Sequence, residues 1–191
     1  MMMVRPSFIY LVPMGEIREE HLASMAESIS EHFGLEVKIT ANQGVPAYAL
    51  DTVRQQYNSN LILRNLLILC PPDGLKILGV THVDLFSPIF SFVFGEAQFG
   101  GKATVISSFR LGGETRENPG PGCPTLISRL EKEAIHELGH TFAIRHCADP
   151  DCVMHYSTGL ACADRKFAYF CPVCRDLMLW HMATDLFLKL P

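Results

Sequence analysis

The chain carries His136-Glu137-Leu138-Gly139-His140-Thr141-Phe142-Ala143-Ile144-Arg145-His146-Cys147, then Cys152-Val153-Met154, then Cys171-Pro172-Val173-Cys174. Residues 125–144 have the spacing of a long helix. Residues four apart on a helix stand about 40° apart around the axis and one turn along it. His136 and His140 can therefore address one ion from one face, with Glu137 beside them and within reach of a metal-bound water. The H-E-x-x-H arrangement supplies two imidazole ligands and a general base. The plainer reading is a surface helix with two satisfied histidines. His146 weighs against it, because it can return to the ion as a third ligand if the helix stops and the chain turns. Three neutral imidazoles and a water make an open catalytic site. With no anionic ligand the metal keeps its full charge, which favours ionising the water and polarising a carbonyl.

The second cluster is Cys147, Cys152, Cys171 and Cys174. Two cysteine pairs with eighteen residues between them fit a closed four-cysteine zinc site, which is structural. The rivals are a redox pair at Cys171 and Cys174, or free thiols; redox motifs of that kind sit near the first strands of a fold. Cys162 is a spare that could replace one of the four. Cys70 ends an apolar run and reads as a core thiol, and Cys123 reads as a free thiol in a Gly/Pro loop.

Outside this region the chain is unremarkable in charge. It has 191 residues, 48% hydrophobic and 19% charged, with a formal net charge of −4. That fits one domain with its own core and excludes a disordered chain. It gives no global electrostatic case for nucleic acid or an anionic membrane as partner. The longest dense apolar stretch, residues 61–70, contains Arg64 and is half of the roughly 20 residues a membrane span needs. The amino terminus lacks a basic start, a long apolar segment and a cleavage site, so a cytoplasmic chain is expected. In a reducing compartment cysteines are ligands or thiols before they are disulfides, and seven of them cannot all pair within the chain.

The first part alternates strands and helices. Residues 8–13 (FIYLVP) read as a buried strand, residues 17–33 as an amphipathic helix stopped by Gly34, and residues 36–40 as a second strand. Residues 41–49 are a loop and residues 50–57 a short helix. Residues 61–69 are a buried strand or helix ended by Pro71-Pro72-Asp73-Gly74. Strands follow at 76–85, 89–94 and 104–110. Residues 95–102 form a turn and 112–124 a Gly/Pro loop. Residues 175–188 read as a helix whose stripe of Leu177, Met178, Trp180, Met182, Leu186 and Phe187 is core. The mix predicts a partly parallel sheet with helices packed on it.

On these motifs the sequence resembles the archaemetzincin family of zinc metallopeptidases, within the metzincins. That pattern combines H-E-x-x-H, a glycine-centred turn, a third histidine, and four cysteines interleaved with a methionine. Here it runs HELGHTFAIRHC, Cys152-Val153-Met154 and Cys171-Pro172-Val173-Cys174, about forty residues in all. The resemblance implies an α+β (mixed α/β), zincin/metzincin-like fold: a twisted mixed sheet, a backing helix and an active-site helix. Residues 1–146 would form that part, and residues 147–191 a small zinc-stabilised C-terminal part within one catalytic domain. It implies two Zn2+: a catalytic ion on His136, His140 and His146, and a structural ion on Cys147, Cys152, Cys171 and Cys174. Glu137 would be the general base, and Met154 would form the Met-turn beneath the catalytic metal. Substrate would lie along a sheet edge drawn from residues 89–99. Tyr156 has the spacing of a tyrosine that, in astacin-like metzincins, donates to the developing oxyanion; its plainer reading is packing.

One position departs from the pattern: Ala143 stands where metzincins have glycine. A left-handed alanine costs about 1 kcal/mol more than glycine. Cys147 follows His146 directly and Met154 lies just beyond Cys152, so a cysteine-held zinc would clamp the chain on both sides of the third ligand. The remaining candidates read as ordinary: His155 and His181 as polar residues, and Glu133, one turn before His136, as a solvated carboxylate.

The implied function is a zinc-dependent metallopeptidase that hydrolyses peptide bonds by a zinc-bound water activated by Glu137. Its substrate would be a peptide or protein, and a monomer is expected. The wall of the specificity pocket is expected at residues 156–161. The alternative is a catalytically weak or inactive zinc-stabilised module that binds peptide or protein. A nucleic-acid-binding zinc ribbon would need clustered basic residues around Cys171 and Cys174, where only Arg165, Lys166 and Arg175 occur.

Overall fold

The computed structural model describes residues 7–112 and 125–187. Strand β1 (Phe8–Met14) sends Ile9 and Leu11 into one apolar cluster and Tyr10 and Val12 into another. Such a strand needs partners at both edges and helices on both faces. It pairs in parallel with β2 (Glu36–Ile39) and β5 (Gly74–Thr81). β5 pairs in parallel with β9 (Ala103–Ser107), and β8 (Gly95–Ala97) closes the sheet antiparallel to β9. The order is β2-β1-β5-β9-β8. On one face α1 (Glu19–Phe33) and α4 (Leu126–Thr141) bring Met25, Ile29, Ile135 and Leu138 against Ile9, Leu11, Leu78, Val80 and Ile106. On the other face α2 (Ser59–Leu69) brings Ile62, Leu63 and Leu66 against Val12, Ile77 and Val105.

A second sheet has the order β3-β4-β6-β7. It comprises β3 (Leu50–Asp51), β4 (Gln56–Asn58), β6 (Leu85–Ser87) and β7 (Phe90–Val93). This overturns the helix expected at 50–57. The Asp51 carboxylate accepts the N–H groups of Val53 and Arg54 at 2.9 and 3.0 Å, Gln55 takes φ 55, and the chain reverses into a hairpin. Residues 76–85 are likewise not one strand. β5 ends at Thr81, and Asp84, ion-paired to Arg110 at 2.6 Å, precedes the crossing into the second sheet. Residues 95–102 supply the edge strand β8 before they turn. Residues 61–69 are helical, as α2 starts on an Asn58 side chain that accepts the Asn60 N–H. The strand expected at 104–110 gives way to α3 (Ser108–Leu111), capped by Ser107.

The C-terminal part carries α5 (Leu160–Arg165) and α6 (Pro172–Phe187). The core stripe expected on α6 is only partly core. Met178 is buried and Met182 and Leu186 pack on the core, whereas Leu177 and Trp180 are exposed, Trp180 at 64%. The helix packs on one side only, so residues turned away from Met178 face outward. The expectations for Cys123, most of the 112–124 loop and the Phe187 side chain lie outside the described residues. Among the described residues no helix is long and apolar enough to cross a membrane. The architecture is a mixed α/β fold with a small cysteine-bearing C-terminal part.

Candidate active site and metal centres

Helix α4 begins at Thr125, whose hydroxyl accepts the Ser128 N–H at 3.2 Å. It ends with two bonds that reach back, Ala143 N–H to His140 O at 3.0 Å and Ile144 N–H to Gly139 O at 3.1 Å. This is a Schellman motif, with Ala143 at its left-handed position, φ 60. The turn before β9 locks against it, where the Gly100 N–H donates to His140 O at 2.9 Å. The alanine therefore makes the turn that glycine usually makes, and the chain comes back with His146.

The three histidines converge. Their Nε2 atoms stand 3.2 Å apart from His136 to His140 and 3.2 Å from His140 to His146. A tetrahedral ion with arms of about 2.05 Å sets its ligands about 3.3 Å apart, so the spacing fits zinc. The tautomers fit as well. Nδ1 of His136 meets Val153 O at 2.8 Å, and Nδ1 of His140 meets Ile144 O at 2.7 Å. A carbonyl only accepts, so Nδ1 carries the hydrogen and Nε2 offers its lone pair to the centre. Burial, with Lys166 adding to it, holds His136 well below the ordinary imidazole value. Burial takes His140 to about 4 and lowers His146. All three are thus neutral near pH 7, the form in which an imidazole can hold a metal.

The Sγ atoms of Cys147, Cys152, Cys171 and Cys174 lie within 4.8 Å of one another, and Cys147 and Cys171 are 3.8 Å apart. Four thiolates on zinc at about 2.3 Å have edges of about 3.8 Å. The Cys171 N–H donates to the Cys152 sulfur at 3.3 Å, as in a zinc knuckle. Burial pushes the Cys152 and Cys174 thiols up, and a cation would offset that by holding the thiolates. Cys162 stands outside this group, beside Thr158 and Arg165. Cys70 is half-buried at the C-terminal end of α2 rather than fully in the core.

The two clusters share backbone. The Cys147 N–H donates to Met154 O at 2.9 Å, and the Val153 N–H donates to Tyr169 O at 2.8 Å. Met154 is fully buried beneath α4, and a Cβ on Gly139 would stand 2.5 Å from its Sδ. Glycine at 139 is thus what lets the methionine approach.

A cavity of about 420 Å³ opens beside the histidines. Ile89, Phe90, Phe92 and Phe99 line one side, and Tyr156, Ser157 and Thr158 line another. Glu137 lies in it, next to the edge strand: a Cβ on Gly95 would stand 2.7 Å from Glu137 Cγ. Burial, then the neighbouring Glu133, pushes the Glu137 carboxyl well up, and Lys166 opposes this. Tyr156 is 47% exposed, its ring 4.9 Å from that of His146. Of the expected polar bystanders, His155 turns Nδ1 to Cys147 O at 2.9 Å, and His181 lies against Trp180.

Glu133 corrects an expectation. It is not a solvated carboxylate but is 5% exposed, and its acid strength is weakened by burial and partly restored by Lys166. α4 turns that face onto the cavity wall rather than to water. Lys166 is 1% exposed, and burial lowers its pKa against the pull of Glu133 and Glu137. Neither role was legible in sequence. Only the place of Glu133, one turn before a ligand, hinted at the cavity.

The family model described as Peptidase family M54 matches residues 26–179. The chain belongs to peptidase family M54. Its relatives in this family are named archaemetzincin. The one from Methanocaldococcus jannaschii is 37% identical over 166 residues, covering 87% of this chain and 89% of the relative. That from Pyrococcus furiosus is 37% identical over 172 residues, covering 87% and 89%. The crystal structure of the Methanopyrus kandleri archaemetzincin is similar with a TM-score of 0.81 at 34% identity, covering 92% of this chain and 95% of that one. The Archaeoglobus fulgidus archaemetzincin, solved in complex with malonate, gives 0.75 at 34% identity, covering 89% and 99%. M54 membership makes the chain a zinc metallopeptidase by family, and the histidine and cysteine groups are where such a protein can hold metal.

Proposed function

We propose that this M54 chain hydrolyses peptide bonds by metzincin-type chemistry, with one zinc on His136, His140 and His146 and a second on Cys147, Cys152, Cys171 and Cys174. The observation that carries it is the convergence of three neutral imidazoles at ligand spacing, in a cavity that also holds Glu137. Zinc there supplies a Lewis acid that polarises a carbonyl oxygen and acidifies water. Glu137 accepts the proton of the attacking water and delivers it to the leaving amine. Tyr156, on the rim beside His146, donates its hydroxyl hydrogen to the oxygen that gains charge. The substrate chain adds antiparallel along the outer edge of β8, which has no strand partner there among the described residues and which Gly95 keeps close to Glu137. Met154 supports the histidines from below, and the boundary between residues 1–146 and 147–191 falls where the third histidine meets the first cysteine. On this reading the partner is a peptide or protein met by a cytoplasmic monomer, with no role for nucleic acid or membrane.

Metal analysis alongside a peptide-library cleavage assay on wild type and Glu137→Ala tests the proposal. Two zincs per chain, with cleavage that disappears in the variant while zinc stays, is the expected result. Zinc-loaded wild type that binds peptides without cutting them would instead favour the binding module.

A further inference from the structure

Two groups of opposite charge face the same cavity without meeting. Glu133, 5% exposed, lines it from α4 and makes no hydrogen bond or ion pair with any described residue. Lys166, 1% exposed, lines it from the segment after α5. Its ammonium donates to His155 O at 3.2 Å. It also lies 3.3 Å from His136 Nδ1, but that nitrogen already donates its hydrogen to Val153 O and cannot accept. Two of the three ammonium hydrogens are thus unspent. The two charges are not within ion-pair distance of each other, although after burial each is the main electrostatic influence on the other. On the adjoining wall the Ser157 hydroxyl oxygen is buried and also has no partner. Buried polar groups left unpaired destabilise a protein unless something engages them.

The geometry points to a side-chain subsite for a carboxamide: the pocket selects glutamine or asparagine at a position next to the cleaved bond. This rests on the peptidase reading above. A carboxyl accepts through its carbonyl oxygen in either protonation state, and an ammonium only donates. A ligand that donates toward Glu133 and accepts from Lys166 therefore satisfies both groups at once. A carboxamide does both with one rigid group, and Ser157 can bond either end. A substrate carboxylate would be set against Glu133 and Glu137, and a substrate ammonium or guanidinium against Lys166. An alkyl side chain would leave Glu133, Ser157 and the two remaining Lys166 hydrogens unengaged, and sites built to hydrogen-bond a substrate group discriminate strongly against analogues that lack it.

Four peptide hydroxamates that differ only in the side chain entering this pocket (glutamine, methionine, glutamate, lysine) would be titrated calorimetrically into the zinc-loaded protein. The glutamine compound is expected to bind at least about tenfold more tightly than each of the others. In Glu133→Gln, checked for fold by circular dichroism and for zinc content, both walls can donate. The glutamate compound is then expected to gain at least about tenfold relative to the glutamine one, a reversal that a purely structural Glu133 would not produce. Methionine binding as well as glutamine in wild type overturns the subsite, whatever the variant does. An unchanged order in a folded, zinc-loaded Glu133→Gln also overturns it. Failure of all four compounds to bind overturns the peptidase reading together with this one, whereas binding without the glutamine preference overturns this one alone.

Discussion

Ala143 sits at φ 60, in the region that L-residues other than asparagine and aspartate rarely visit. It stays there because both Schellman bonds and the Gly100 contact hold the turn, and these outweigh roughly 1 kcal/mol of steric strain. Ala143→Gly should therefore stabilise the zinc-loaded protein by up to about 1 kcal/mol, raising its thermal midpoint by about 2–4 °C. A lower midpoint would show that the strain is already relieved elsewhere. Tyr156 poses a chemical question. If its hydroxyl meets the developing oxyanion, Tyr156→Phe lowers kcat by on the order of 10²-fold and leaves KM nearly unchanged. Steady-state kinetics on one good substrate separates this from a packing role, for which kcat would hardly move. The spacing of Ala143 and Tyr156 in the chain announced both questions, because each is defined relative to a nearby ligand. Glu133 and Lys166 are different: they lie thirty-three positions apart, and nothing local says that both are buried at one cavity.

Helix α4 joins core and chemistry. One side packs Leu130, Ala134, Ile135 and Leu138 into the sheet, and the same turns present His136, Glu137 and His140 to the cavity. Its period was readable, and so was its start at Thr125. Gly139 is its least expected residue, since alanine there should favour the helix by about 1 kcal/mol. The structure reverses that sign. The added methyl would stand 2.5 Å from Met154 Sδ and 3.2 Å from Phe170 Cε1, in a fully packed place. Overpacking of this kind costs about 1–3 kcal/mol, so Gly139→Ala should give a net loss of stability in denaturant unfolding of the zinc-loaded protein. A gain would mean that the methionine yields freely and does not brace the helix. Elsewhere the shorter elements escaped the sequence. The β3–β4 hairpin and the edge strand β8 are two or three residues long, too short to show a period, and they exist because neighbouring strands offer them hydrogen-bond partners.

Across the whole molecule, the cysteine group and the histidine group are linked through Cys147, which follows His146 and bonds to Met154. The expected consequence is that the cysteine-held zinc positions the other one. Replacing Cys171 and Cys174 together with serine should weaken zinc at the histidines by about 10- to 100-fold, as loss of supporting shells does. Competition with a chelator of known affinity measures it. Unchanged affinity with an ordered His146 would sink the idea. By itself the sequence determined the family, the histidine and cysteine groups that could hold metal, and the helix that carries Glu137. Each of these depends on spacing along the chain, which backbone geometry converts directly into direction. The tertiary structure decided which cysteine stays out, which strand ends the sheet beside the cavity and which charges are buried. Desolvation and strand pairing depend on what distant segments bring alongside, and no local pattern records that.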